Sequence, residues 1–307
     1  MSLKPLAKIW MDGKLVPWDD AKVHVLTHGL HYAMAVFEGI RSFPTKNGPA
    51  IFRLDEHLSR FYNSAKVYRM PIPYSAKELA DACKDMIRVN GLADAYLRPI
   101  AFTSYGVMGL NPLRSKISVA IGSWEWAAYL GQAGDDHGVR AMVSSWARVD
   151  PRSLPPQAKC SANYANSALA KMEAVQGGYD EAIMLNLVGK VAEGPGENIF
   201  RIKDGILSTP PASSGVLRGI TRDTVIQLAH DLGITFYRND STREELYTSD
   251  ELFFSGTAVG IAKIAEVDGR KIGTGEYPIT TKLQQLYDNI VHGRESKYTK
   301  WLTPVSA

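Results

Sequence analysis

Gly131-Gln-Ala-Gly-Asp-Asp-His-Gly138 is the stretch on which the reading of the fold turns. It is polar, rich in glycine and free of apolar periodicity, which marks it as a connection between separately folded parts. Upstream, Lys8-Ile-Trp-Met11 and Lys14-Leu-Val16 flank Asp12-Gly13, a pair suited to a two-residue type I′ hairpin turn. Leu54, Leu58, Phe61 and Ala65 recur at helical spacing. Ser75 with Glu78 reads as a capping box before Leu79, Cys83, Met86 and Ile87, with a stop at Gly91. Strand-like runs follow at Ala95 to Phe102 and Ile117 to Ser123. Downstream, extended runs at Val139 to Ser144, Asp180 to Asn186 and Gly196 to Ile202 are interleaved with helical patterns. Those patterns are Tyr164/Ala168/Met172/Val175, Val225/Leu228/Ala229/Leu232 and Ile279/Leu283/Leu286/Tyr287/Ile290. Hairpins and helices in both halves argue for an α+β chain of mixed elements, not one doubly wound sheet. The expected division is a small domain over 1–130, a linker over 131–138 and a larger domain over 139–307.

Composition narrows the function classes. Of 307 residues, 45% are apolar and 22% charged, as in ordinary globular proteins. Thirty-five Lys and Arg against 32 Asp and Glu leave only +3, so a nucleic-acid partner is not expected. Cys83 and Cys160 are too few for a disulfide framework and suit a reducing compartment. No signal-peptide core or membrane-length apolar run is present, so a cytoplasmic protein without membrane contact is expected. No dinucleotide fingerprint, P-loop, Cys-x-x-Cys or His-Glu-x-x-His occurs. His24, His28 and His31 have helical spacing, but no thiolate or acidic ligand lies near them, so no metal is expected.

Five local patterns carry chemistry only in combination. Lys159 lies in Leu-Pro-Pro-Gln-Ala-Lys-Cys-Ser-Ala-Asn-Tyr164, where two prolines are expected to keep the approach extended and a helix begins about four residues on. A lysine is usually a solvated charge. Among small, apolar neighbours it can lose its proton and attack a carbonyl. Glu193 sits in Val-Ala-Glu-Gly-Pro-Gly-Glu-Asn, a plain turn or a place where backbone approaches a flat ligand. Gly219-Ile-Thr-Arg-Asp223 opens a helix, either as a simple cap at Thr221 or as an anion site. Ser255-Gly-Thr257 ends the apolar run Leu252-Phe-Phe254, as a strand-ending turn or with amides aimed at an anion. Tyr96 and Arg98, two apart in a strand, leave the same face as a surface pair or a carboxylate clamp.

Taken together, these residues resemble the class IV (fold type IV) pyridoxal-phosphate aminotransferases, most closely the branched-chain amino acid aminotransferases. The matching stretches are His31-Tyr-Ala-Met-Ala-Val-Phe-Glu-Gly-Ile-Arg41, Ala95-Tyr-Leu-Arg-Pro99, Met142-Val-Ser-Ser-Trp146, Ala192-Glu-Gly-Pro-Gly-Glu-Asn198, Leu217-Arg-Gly-Ile-Thr-Arg-Asp223 and Ser255-Gly-Thr257, in order along most of the chain. The resemblance implies that 139–307 binds pyridoxal 5′-phosphate, with Lys159 holding it as an internal aldimine. Glu193 would pair with the pyridine nitrogen and Tyr164 with the ring hydroxyl. Arg60, Ile220, Thr221 and Thr257 would hold the phosphate, with Leu217, Gly219 and Gly256 also lining the cofactor. Arg60 lies off the Leu54/Leu58/Phe61 stripe, which is compatible with facing a ligand.

For substrate, the resemblance implies Tyr96 with the amides of Thr257 and Ala258 at the α-carboxylate, and Arg98 at the second carboxylate of glutamate. Gly39, Phe37, Trp126 and Tyr129 would line the side-chain pocket, and Tyr32 and Leu110 would arrive from a neighbouring subunit. The implied reaction is ping-pong transamination between L-leucine, L-isoleucine or L-valine and 2-oxoglutarate, by a homodimer or a trimer of dimers. A D-amino acid or (R)-amine transaminase would keep Lys159 and Glu193 but change the clamp, and Tyr96 and Arg98 argue against that. An aminodeoxychorismate lyase would share the cofactor, but aromatic walls suit an aliphatic side chain better. A non-enzymatic binding protein would be expected to lack Lys159.

Overall fold

The computed structural model describes residues 3–126 and 138–305. Of the expected linker only Gly138 falls among them, and Tyr129 lies outside them. Elements follow in the order β1 (Lys8–Met11), β2 (Lys14–Pro17), α1 (His28–Tyr32), β3 (Ala35–Phe37), β4 (Ile40–Thr45), β5 (Gly48–Phe52), α2 (Leu54–Val67), α3 (Ala76–Val89), β6 (Ala95–Thr103) and β7 (Ile117–Glu125). Then come β8 (Val139–Val143), α4 (Ser161–Gln176), β9 (Glu181–Leu185), β10 (Val191–Glu193), β11 (Asn198–Lys203), β12 (Ile206–Thr209), α5 (Ile220–Asp231) and β13 (Phe236–Arg238). The chain ends with α6 (Arg243–Tyr247), β14 (Glu251–Gly256), β15 (Gly260–Val267), β16 (Arg270–Lys271), α7 (Pro278–Val291) and β17 (Leu302–Pro304).

The described residues form two compact units: 3–126 with Ala158–Ala162 and 289–305, and 138–157 with 163–288. The division therefore differs from a single cut at 131–138, because the tail returns. β17 pairs antiparallel with β5, Leu302 opposite Phe52, so the end of the chain completes the first sheet. That sheet is antiparallel throughout, in the order β17-β5-β4-β6-β7-β1-β2, with β3 also on β6. Its hairpin turn has Asp12 at φ 47° and Gly13 at φ 85°, both positive as a type I′ turn requires. Leu54, Leu58 and Phe61 of α2 and Leu79, Cys83 and Met86 of α3 bury against Val36, Ile40, Leu97 and Val119 of the sheet. The α3 start carries the expected capping box, with the Glu78 amide donating to Ser75 Oγ and the Ser75 amide to Glu78 Oε2.

The second unit holds a mixed sheet in the order β10-β9-β8-β15-β14-β11-β12-β13, with parallel pairs β8–β9, β8–β15 and β12–β13. Val139, Val143, Ile183, Ile199, Phe254 and Ile264 make its core. Helix α4 corrects one expectation. Met172 and Val175 of the proposed stripe are exposed, whereas Asn163, Ser167, Ala170 and Ala174 are buried. The small face packs on Ala182 and Met184 of β9 because alanines allow close approach. The residues before Lys159 also differ from expectation: after Pro155 they form turns, not an extended run. Proline fixes φ near a value that turns share, so it does not by itself demand extension.

Candidate active site

In the first unit, chemistry gathers where α2 meets the ends of β3 and β6. Lys159 is fixed through its backbone first. Its amide donates to Ser64 Oγ on α2 at 2.9 Å, and its carbonyl accepts from the Phe37 amide at 3.0 Å. Cys160 then bridges Val36, so β3 gains a short antiparallel partner beside the lysine. The amine lies 5.1 Å from the centre of the Phe37 ring. Burial, with Arg60 and Arg98 nearby, draws its pKa down to about 8, while Glu38 and Tyr96 act in the opposite sense.

Tyr96 and Arg98 leave β6 on one face, as their spacing requires. The Tyr96 ring stacks on Trp124 and Trp126 at centroid distances of 4.9 and 4.8 Å. The Arg98 guanidinium lies 4.8 Å from the Phe37 ring centre and 5.6 Å from that of Trp124. Arg98 Nε and Trp124 Nε1 are buried donors without a hydrogen-bond partner among the described residues, as expected where a ligand supplies the acceptor. Gly39 must be glycine: a Cβ there would stand 1.9 Å from the Tyr96 hydroxyl.

Two residues not singled out from sequence complete this cluster. Glu38 is fully buried, its Oε1 accepting from Arg60 Nε at 2.7 Å and its Oε2 from Arg60 Nη2 and His57 Nδ1, each at 2.8 Å. Burial alone would raise the Glu38 carboxyl, but Arg60 and His57 hold it well below the usual carboxylate range. Burial also lowers the His57 pKa, so the ring is neutral and donates through Nδ1–H. The spacing 57, 60, 64 on α2 puts all three side chains on one face, and that periodicity was available in the sequence.

In the second unit, Glu193 ends β10 and is 4% exposed. Its carboxylate pairs with Arg148 at 2.9 Å and accepts from Asn198 Nδ2 at 2.9 Å and the Leu217 amide at 3.0 Å. Asn198 Nδ2 also donates to the Leu217 carbonyl at 2.9 Å, tying β11 to the segment before α5. A Cβ on Gly219 would meet Asn198 Oδ1 at 2.1 Å, so this glycine is needed for a close approach. Helix α5 begins at Ile220 with Gly219 as its cap, so Thr221 is not the cap but a buried first-turn residue. Its N-terminal amides face the direction in which helices attract anions. Gly256 ends β14 beside Gly196, and Thr257 and Ala258 occupy the turn before β15. Tyr164 lies in the first turn of α4, half-buried.

The structure thus brings Lys159, Phe37, Gly39, Arg60, Tyr96, Arg98 and Trp126 together in the first unit. It brings Glu193, Leu217, Gly219 and the Gly256 turn together in the second. Tyr32 and Leu110 are exposed, Leu110 at 86%. Asn198 and Arg148 escaped the sequence reading, although Asn198 was part of a quoted motif.

A family model described as amino-transferase class IV matches residues 35–267. The branched-chain-amino-acid aminotransferase of Salmonella typhimurium is 45% identical over 309 residues, covering 100% of both chains. That of Pseudomonas aeruginosa is 46% identical over 298 residues, covering 97% of each. The crystal structure of the branched-chain amino acid aminotransferase from Thermobaculum terrenum, in its pyridoxal-phosphate-bound holo form, aligns with a TM-score of 0.93 at 37% identity, over 99% of each chain.

Proposed function

The chain belongs to the class IV aminotransferase family, and we propose that it uses pyridoxal 5′-phosphate to move the amino group of L-leucine, L-isoleucine or L-valine to 2-oxoglutarate. The observation that carries the reading is a half-buried lysine whose amine has its pKa drawn down to about 8, fixed through its backbone beside an aromatic and arginine wall. The residues present fit the cofactor. Glu193 is a buried carboxylate held by Arg148, Asn198 Nδ2 and the Leu217 amide, a placement suited to pairing with a pyridine nitrogen. Gly39 and Gly219 admit the Tyr96 hydroxyl and Asn198 Oδ1 to positions that any Cβ would block, which sets both side chains in place. Arg98 Nε supplies a buried donor that requires an acceptor.

When bound, pyridoxal phosphate supplies the electron sink that makes the Cα proton of an amino acid removable. Lys159 would hold it covalently through Nζ. When not bonded to it, the same amine would be the base that carries the Cα proton of the amino acid. Its lowered pKa leaves part of the amine unprotonated near neutral pH, as a base needs to be. Glu193 would secure the ring nitrogen and Tyr164 the ring hydroxyl. Arg60, Ile220, Thr221 and Thr257 would hold the phosphate, with Leu217, Gly219 and Gly256 alongside.

Tyr96 with the Thr257 and Ala258 amides would receive the α-carboxylate. The guanidinium of Arg98 would meet the second carboxylate of glutamate, while Phe37, Gly39, Trp126 and Tyr129 would accept an aliphatic chain. The reading includes a homodimer or a trimer of dimers in which Tyr32 and Leu110 serve a neighbouring subunit; their exposure supports it. A cytoplasmic setting agrees with two buried free thiols, and no helix among the described residues is long and apolar enough to cross a membrane.

The test is the visible spectrum of the purified protein before and after L-leucine, with no oxo acid present. A yellow band that bleaches with L-leucine and returns with 2-oxoglutarate is the expected result. A band indifferent to L-leucine but bleached by D-alanine would move the substrate to the D-series. No band after incubation with pyridoxal phosphate would remove the roles given to Lys159 and Glu193.

A further inference from the structure

Glu38 is a fully buried carboxylate in the first unit's cluster, and the transamination chemistry above makes no use of it. Its amide donates to the Pro99 carbonyl at 2.8 Å, which fixes it to β6. Its two oxygens take both ends of the Arg60 fork, and Oε2 also accepts from His57 Nδ1 at 2.8 Å and the Gly39 amide at 3.3 Å. A buried ion pair of this kind adds little net stability, since an apolar replacement often does as well. Its use lies in geometry: a bidentate carboxylate fixes the plane and rotation of a guanidinium that a flexible side chain would otherwise leave free. The same α2 face, one turn further, carries the Ser64 hydroxyl that pins the Lys159 amide. Glu38 therefore touches both the arginine's orientation and the charge around the lysine.

We propose that Glu38, oriented by His57, is a positioning residue that aims Arg60 at the cofactor phosphate and offsets the two guanidinium charges facing the Lys159 amine. The proposal rests on the cofactor reading above. The groups facing that amine are Arg60 and neutral His57 from α2, Glu38 after β3, and Tyr96 and Arg98 from β6. Of these, Glu38 is the carboxylate that supplies negative charge at neutral pH. Removing its charge leaves Arg60 and Arg98 opposed to an ammonium, so the nitrogen of Lys159 holds its proton less tightly.

The experiment compares Glu38→Gln and Glu38→Asp in the cofactor-loaded protein. Two quantities are read: the dissociation constant of pyridoxal phosphate by equilibrium dialysis, and the pH midpoint of the bound chromophore's absorbance. Glu38→Gln keeps shape but loses charge and half of the fork, and should weaken cofactor binding by about tenfold or more. Its midpoint should fall by roughly one pH unit. Glu38→Asp keeps the charge but sets it back by one methylene, so affinity falls while the midpoint stays. If Glu38→Gln fails to fold, that split in Glu38→Asp decides alone. Wild-type affinity in Glu38→Asp, a wild-type midpoint in Glu38→Gln, or equal midpoint shifts in both would overturn the proposal. A wild-type protein that takes up no chromophore would instead overturn the cofactor reading.

Discussion

Lys159 is held before its side chain is called upon: the Ser64 hydroxyl and the Phe37 amide fix the peptide units on its two sides. The small neighbours Ala158 and Cys160, both about 1% exposed, let the backbone press against α2 and β3. Lys159→Ala should abolish transamination, with pyridoxal phosphate no longer retained through dialysis; a variant with normal rates would sink the mechanism. Gly39→Ala tests the other wall. Its Cβ would overlap the Tyr96 hydroxyl, and Tyr96 is stacked against two tryptophans and has no easy way to yield. A displaced tyrosine should lower kcat/KM by roughly 10- to 100-fold for amino and oxo acids alike, with the chromophore still bound. Steady-state kinetics on both half-reactions would check this. Lys159 was legible from its neighbours, but Glu38 and His57 were not. Their roles arise from a contact between segments 19 residues apart, Glu38 to His57, and no local pattern announces such a contact.

Elements were legible in proportion to how local their chemistry is. The type I′ turn at Asp12-Gly13 and the capping box at Ser75 and Glu78 depend only on adjacent residues, and both form as read. Helix α4 has apolar side chains on two faces, and its pattern does not say which face is covered. The larger residues pointed to one side, yet Ala170 and Ala174 took the sheet because small side chains admit it closely. The turn between β10 and β11 buries a carboxylate with a different consequence. Glu197 is 4% exposed and accepts from the Gly196 amide, and burial, with Glu181 nearby, pushes its carboxyl up to about 8. The unfolded chain ionises this group at ordinary carboxylate pH, whereas the folded chain resists. Between those two values the folded state binds the extra proton, so stability falls as pH rises from about 4.5 to about 8. Glu197→Gln should flatten that decline, read as urea midpoints at pH 5.5 and 8; an unchanged slope would show that the carboxyl is already ionised.

For the whole molecule, the exposed apolar residues are informative. Val25, Leu26, Leu30, Tyr32, Tyr105, Met108 and Leu110 are all exposed. The segments bearing them lie against each other, through ring contact of His24 with Tyr105 and the His28 Nε2 contact with the Gly109 carbonyl at 2.8 Å. A patch of this kind suits the subunit contact proposed for Tyr32 and Leu110. Leu110→Asp should reduce the assembly to a smaller species in sedimentation velocity while changing the stability of the single chain by no more than about 0.5 kcal/mol. An unchanged sedimentation coefficient would place the contact elsewhere.

What the sequence determined alone were the features written in neighbouring residues: the turns, the caps, the strand that puts Tyr96 beside Arg98, and the motifs that identify the family. Each is a short-range choice of backbone angle or side-chain direction, set by residue type and spacing. Tertiary structure decided which helix face is buried, where β17 pairs, and which groups share the Glu38 and Glu193 carboxylates. Those outcomes depend on desolvation and on contacts between distant segments. The same residues could satisfy their charges in several ways until packing excludes water and leaves one.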